Sequence, residues 1–227
     1  MKTILRATMR PTMLPKRVQL RLIRQFGAPH GLTGLMAGWI MAHRPSNVER
    51  GRWVVSLLDP APAERVLEVG FGPGLAVAEL ARRVPEGRVY GIDHSALMVG
   101  RAGRRNATAV RAGRVVLLHA PVQDLPPFDE PLDAVLAVNS LGFWPDPVQQ
   151  LIRLRGLLRP GGRIALASQP RCPGATAETT ASAARELVVL LEEAGFVQAR
   201  TEILDLAPPV ACVLAANPDP QRTNTGR

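Results

Sequence analysis

No acidic residue occurs before Glu49, although Lys2, Arg6, Arg10, Lys16, Arg17, Arg21, Arg24 and Arg44 all fall in that stretch. Of the net charge of +9, only +1 is left for everything after Val48. The basicity therefore belongs to an N-terminal arm, and the near-neutral remainder argues against a nucleic-acid-binding body. Cysteine is scarce: Cys172 and Cys212 are far apart and belong to no CxxC or Cys/His cluster. That excludes a disulfide framework and a zinc site by spacing, and predicts two unpaired thiols in a reducing cytoplasm. Long apolar runs are missing too. Leu32 to Ala42 is too short and too glycine-rich to span a bilayer, and Arg6, Arg10, Lys16 and Arg17 interrupt what would be a signal-peptide core. An Arg-rich start without acids also has the look of a mitochondrial transit peptide, the weaker alternative to a cytoplasmic chain. Lysine is rare beside arginine, which fits a GC-rich genome before any binding role.

The 227 residues suit one domain with an appendage. Its informative stretch is Arg65-Val66-Leu67-Glu68-Val69-Gly70-Phe71-Gly72-Pro73-Gly74. A β-branched run closes on an acid, glycine recurs at every second position, and Leu75 to Val84 follows with helical spacing of Leu75, Ala76, Leu80, Ala81 and Val84. Strand, glycine turn and helix make a nucleotide-binding corner, because glycine lets backbone approach a ligand at the carboxyl end of a parallel strand. The dinucleotide fingerprint fails, since Leu75 stands where its third small residue belongs. The phosphate loop also fails, for lack of Gly-Lys-Ser/Thr. Glu68 would repel a diphosphate but suits a ligand with an ammonium and a sulfonium. About twenty residues past the loop, Arg88 to Asp93 reads as a second strand whose terminal Asp93 is placed to accept both ribose hydroxyls.

Elsewhere the pattern is of alternating helix and strand. Pro15 to Phe26 reads as a basic amphipathic helix, Ser46-Asn47-Val48-Glu49 as a capping box opening a helix that stops at Asp59-Pro60, and Val115 to Leu118 as a third strand. Asp133 to Asn139 is a continuous apolar fourth strand, as a doubly covered parallel strand should be. Asp146-Pro147 starts the next helix, Leu157-Leu158-Arg159-Pro160-Gly161-Gly162 turns into a fifth strand, and Ala177 to Ala194 is a last helix. Val197 to Leu206 and Val210 to Ala216 form a closing antiparallel pair, and a polar tail begins at Asn217.

The acid-glycine motif, with the Leu-Arg-Pro-Gly-Gly turn about ninety residues later, resembles the class I S-adenosylmethionine (SAM) dependent methyltransferases over roughly residues 45 to 216. The resemblance implies an α/β fold: a Rossmann-like, doubly wound, seven-stranded sheet, mostly parallel with an antiparallel last strand. It also implies a basic N-terminal arm and helical lid over 1–45, a SAM-binding domain over 46–216, and a polar tail over 217–227. Glu68, Gly70, Phe71, Gly72 and Gly74 would hold the methionine end of SAM, with Asp93 on the ribose. His94 and Met98 would border the adenine, which the segment Ala120 to Pro126 holds in this family. Here Pro121 replaces the usual Asp, leaving the backbone N–H of Val122 and the side chain of Gln123 or Asp124. Asn139 heads the loop that meets both cofactor and acceptor. Met36, Trp39, Met41, Phe143 and Trp144 are candidate walls of an acceptor pocket, although Met36, Trp39 and Met41 suit plain core equally well.

In such enzymes the protein aligns acceptor, methyl and sulfur, and a general base is needed only where the acceptor must lose a proton. His30 and His43 are the candidate bases, with His94 and His119 nearer the cofactor. No metal-ligand set is apparent. The expected partner is a small, apolar or aromatic acceptor. Weak membrane-surface contact of the basic helix is the sharper alternative to its packing as a cover. A methyltransferase of RNA or protein gripping through the arm, or a SAM-binding module without turnover, are the competing functions.

Overall fold

The structure, a computed structural model, describes residues 45–170, 172 and 174–220. The helix expected over Pro15 to Phe26, the lid with Met36, Trp39 and Met41, and both candidate bases His30 and His43 lie outside the described residues. So do residues 221–227 of the polar tail.

Helix α1 (Pro45–Leu58) precedes β1 (Arg65–Val69), α2 (Leu75–Arg83), β2 (Arg88–Asp93), α3 (Ala96–Arg105), α4 (Ala107–Arg111) and β3 (Val115–His119). Then come β4 (Leu132–Val138), α5 (Pro147–Leu157), β5 (Leu158–Ser168), α6 (Ala177–Glu193), β6 (Val197–Leu204) and β7 (Val210–Ala216). The seven strands are ordered β3-β2-β1-β4-β5-β7-β6. β1 to β5 run parallel, and β7 is antiparallel to both neighbours, β5 and β6. The doubly wound sheet with a reversed last strand is thus the one expected.

Helices cover both faces, because alternate side chains of each central strand must be buried on opposite sides. Val66, Val89, Ala134 and Leu136 point to a core shared with Val54, Val55 and Leu58 of α1 and Val77 and Leu80 of α2. Leu67, Val69, Val135, Ile164 and Leu166 point the other way, against Leu151 and Leu154 of α5 and Leu187 and Leu191 of α6. Each wholly buried aliphatic side chain contributes on the order of 2 kcal/mol, so this double core dominates the stability.

Helix starts differ in detail from the sequence reading. α1 is already helical at Pro45, the first described residue, so Ser46, expected as an N-cap, lies within the helix. α5 starts as expected, with the Asp146 side chain accepting from Gln149 N–H at 3.3 Å. An unforeseen capping box, Thr176 with Thr179, opens α6. Asn217, expected to head a frayed tail, is fastened: its Nδ2 donates to the carbonyls of Leu158 and Arg159 at 2.9 and 3.0 Å. No helix among the described residues is long and apolar enough to cross a membrane. Cys212 is buried in β7, where burial pushes its thiol up to about 12, and Cys172 is exposed; both are unpaired.

Candidate active site

Strand order reverses between β1 and β4, with β2 beside β1 on one side and β5 beside β4 on the other. Loops leaving the carboxyl ends of β1 and β4 therefore diverge over opposite faces, and the crevice between them is where an open α/β sheet takes its ligand. Glu68, Asp93 and Asn139 stand at the tips of β1, β2 and β4 around it.

The three loop glycines have different reasons to be glycine. All have positive φ: 75° at Gly70, 53° at Gly72 and 74° at Gly74. A Cβ on Gly70 would lie 2.4 Å from Ser140 Cβ, and one on Gly74 would lie 2.7 Å from Ala102 Cβ in α3. A Cβ on Gly72 would meet nothing within 4 Å, so this glycine borders open space. Asn106 Nδ2 and Arg105 Nε, from the end of α3, donate to the carbonyls of Gly74 and Pro73 at 3.3 and 3.1 Å. Asp93 completes the fastening, for its Oδ2 accepts from Gly72 N–H and its Oδ1 from Ser95 N–H, both at 2.8 Å.

Two carboxylates are buried close together here. Glu68 is 2% exposed and Asp93 6%. Burial pushes the Glu68 carboxyl up to about 8, the Asp93 charge adds to the rise, and a backbone hydrogen bond from Val77 in the first turn of α2 works against it. Burial raises Asp93 as well, opposed by the N–H groups of Ser95 and Gly72 and by His94 and His119. Glu68 Oε2 and Asn139 Nδ2 are buried without a hydrogen-bond partner. A cationic ligand would relieve the paired carboxylates, and open space beside Gly72 gives it room. The site therefore fits a nucleoside with a positively charged substituent.

The remaining sequence-derived candidates divide. Met98 is buried, and His94 is half-exposed with its carbonyl 3.0 Å from His119 Nε2. Val122 is buried in the short turn Val122–Asp124 after β3, whereas Gln123 and Asp124 are exposed, and the Gln123 carbonyl accepts from Arg153 Nη1 at 3.0 Å. Phe71 sits between the first two glycines of the loop. Its ring packs into the core against Gly91, where a Cβ would come within 2.7 Å of it, so only its backbone belongs to the loop. Trp144 is 8% exposed and packs in the core with Leu151 and Leu154. Its neighbour Phe143 is 55% exposed and carries the aromatic surface of the loop alone.

Sequence reasoning missed Ser140, whose Oγ donates to the Val69 carbonyl at 2.6 Å and ties the loop after β4 to the end of β1. It also missed Gln169 and Arg50. Gln169 N–H donates to Asn139 Oδ1 at 2.7 Å, and Arg50 Nη1 donates to Gln169 Oε1 at 2.5 Å. The positive φ of Asn139, 54°, is the backbone signature of a constrained turn at this tip. Among the described residues no group of three or more His, Cys, Asp or Glu side chains comes together as a metal would need.

A crevice that offers glycine backbone to a nucleoside and paired carboxylates to a cation suits an adenosyl sulfonium. Residues 66–162 match the methyltransferase domain family. The uncharacterized methyltransferase YdaC of Bacillus subtilis (strain 168) is 30% identical over 185 residues, covering 81% of this chain and 99% of that protein. Aklanonic acid methyltransferase DauC of Streptomyces sp. (strain C5) is 37% identical over 120 residues, 52% of this chain and about half (54%) of that protein. The N-methyltransferase NodS from Bradyrhizobium japonicum WM9, solved with S-adenosylhomocysteine, shares the fold with a TM-score of 0.62 at 19% identity, over 88% of this chain and 98% of NodS. The chain belongs to the SAM-dependent methyltransferase family and is an enzyme whose cofactor is S-adenosyl-L-methionine.

Proposed function

We propose that the enzyme methylates a small molecule with an apolar or aromatic body, bound over the carboxyl ends of β4 and β5 and acting in the cytoplasm. The observation that carries this reading is Phe143, a large ring left 55% exposed three residues beyond Ser140 in the loop after β4. An exposed aromatic beside a polar cleft is what an apolar acceptor would cover. In support, the Streptomyces relative is named for a discrete small acid.

SAM supplies a methyl group on a sulfonium, which is its own leaving group. A bond forms between the acceptor's nucleophilic atom and the methyl carbon while the carbon–sulfur bond breaks, and the electron pair stays on sulfur as S-adenosylhomocysteine. The chain's part is to bind, orient and keep out water. The Gly70–Gly74 backbone and Glu68 would hold the amino-acid end, Asp93 the ribose, and Met98 and Val122 the base. Where the acceptor must lose a proton, His30 or His43 would take it.

Cell extract incubated with the enzyme and isotopically labelled SAM should yield label in a small organic compound, read by mass spectrometry. Phe143→Ala should then raise KM for that compound about tenfold while SAM affinity stays level. Label appearing instead in RNA or protein, and lost on deleting residues 1–26, would transfer the assignment to a macromolecular acceptor gripped by the basic arm.

A further inference from the structure

The sheet ends on β6, which pairs with β7, and among the described residues no strand lies beyond it. Which backbone groups face that open side follows from β7. Asn217, just past its end, donates its N–H to the Gly162 carbonyl, and its own carbonyl accepts from Gly161 N–H, both in β5. In an antiparallel ladder successive residues turn these groups to opposite sides. Leu214, Cys212 and Val210 therefore turn theirs towards β6, where they face Arg200, Glu202 and Leu204. Those three residues use their N–H and C=O groups on β7. Thr201 and Ile203, one residue out of phase, present theirs to the open side.

Edges of this kind are ordinarily blunted by proline, by lysine or by a bulge. β6 is irregular near its start, where the register shifts between Val197 and Arg200 and Gln198 has φ 58°. Pro208 and Pro209 follow its end. Between these stops residues 200–204 hold neither proline nor lysine, and Ile203 is left 53% exposed.

The side chains decide what fits there. Arg200 and Glu202 share one face of the sheet, where Arg200 Nη1 donates to Glu202 Oε1 at 2.9 Å. Their order is self-complementary. A second β6, antiparallel and related by a twofold axis through Thr201, sets Arg200 opposite Glu202 of the copy, and Glu202 opposite its Arg200. Thr201 then meets its own counterpart as a doubly hydrogen-bonded pair, because its N–H and C=O are the groups turned outwards. The charged positions become the closer, non-hydrogen-bonded pairs, about 4.5 Å apart at Cα. On the other face Ile203 lies against Ala199 of the copy. An axis at Arg200 or at Glu202 would oppose like charges and call on backbone groups already bonded to β7, so the sequence selects one register.

We propose that β6 is a docking edge for a second copy of this chain, paired antiparallel about Thr201 so that two seven-stranded sheets continue into one. A twofold contact of this kind is closed, so association stops at the dimer. β5 and β7 separate the seam from β4, and the crevice lies outside it.

Sedimentation velocity of the full chain over micromolar concentrations should show a monomer–dimer equilibrium. Arg200→Glu and Glu202→Arg should each weaken it about tenfold, since each opposes like charges at both crossings of the seam. Mixed together, the two variants should regain the association of the unaltered chain as a heterodimer, because every crossing is then an attraction. Thr201→Pro removes an N–H that β7 does not use, and should abolish the dimer while affinity for S-adenosylhomocysteine stays within about twofold. Should Thr201→Pro lose its cooperative melting transition, the mixed charge variants decide alone. A chain that stays monomeric at every concentration overturns the proposal and leaves the edge to another segment or another protein. So does a dimer that both charge reversals leave intact, or a mixture that associates no better than its components.

Discussion

A carboxyl group at position 68 lies in β1 between two buried aliphatic neighbours, Leu67 and Val69, and beside a second buried acid, Asp93. Its folded value of about 8 stands above the ordinary 4.5, so between those limits the folded chain holds a proton that the unfolded chain has released. Stability contributed at this residue is therefore full below about pH 4.5 and declines as pH rises towards about 8. A bound cation reverses the preference by favouring the ionised form. Cofactor binding at pH 7 should release a proton, and affinity should climb with pH until Glu68 ionises in the empty enzyme. Titration of SAM in buffers of different ionisation enthalpy measures that release directly. Glu68→Gln should abolish it and flatten the decline in stability towards alkaline pH; proton release that persists undiminished in the variant would assign the titration to Asp93.

Elements meet at the glycine loop as interlocking parts. The turn after β1 is pinned from α3 through Asn106 and Arg105, from the tip of β2 through Asp93, and from the loop after β4 through Ser140. Gly70→Ala would drive a methyl group into Ser140 Cβ and place alanine at φ 75°. Affinity for S-adenosylhomocysteine should fall about 10- to 100-fold, the effect of overpacking by a few kcal/mol. Adding Ser140→Gly should return part of it, since the steric partner is gone while the backbone strain persists. Calorimetry on the single and double variants decides this: a double variant no better than Gly70→Ala would mean that the clash is not what disables the loop.

Across the whole molecule, chemistry and reinforcement occupy opposite ends of the sheet. At the amino ends of β1, β4 and β5, Arg163 bonds Glu64 through two nitrogens at 3.0 and 2.6 Å and reaches the Leu58 carbonyl at 3.1 Å. Asp133 accepts from Arg65 N–H at 2.8 Å and from Arg159 Nε at 2.6 Å. Glu64 is largely buried, and without Arg163 it keeps only the longer pair to Arg159 at 3.8 Å, which leaves its charge poorly compensated. Arg163→Met should cost about 3 kcal/mol of unfolding free energy, measured by urea denaturation. Affinity for SAM should hold within about twofold, because the cluster is a sheet's length from the crevice. A large loss of affinity at unchanged stability would contradict this division.

Residue order alone determined the sheet and the two acidic tips. A parallel strand covered on both faces must be a continuous apolar run, which marks β4, and glycine at alternate positions after an acid has few other uses. The spacing from that loop to Asp93 followed directly. Tertiary structure decided the rest, because side chains that act together here are distant in the chain. Arg50 and Gln169 are 119 positions apart, and Ser140 and Val69 are 71 apart. It also chose between adjacent aromatics. Phe143 and Trp144 are equivalent in composition, but one faces out and the other joins the core of α5, because a short 3-10 turn at Leu141–Phe143 ends there and turns the chain inward. Local pattern specifies what a strand buries. Which distant donors close over its tip depends on strand order, and only packing two complete cores against one sheet sets that order.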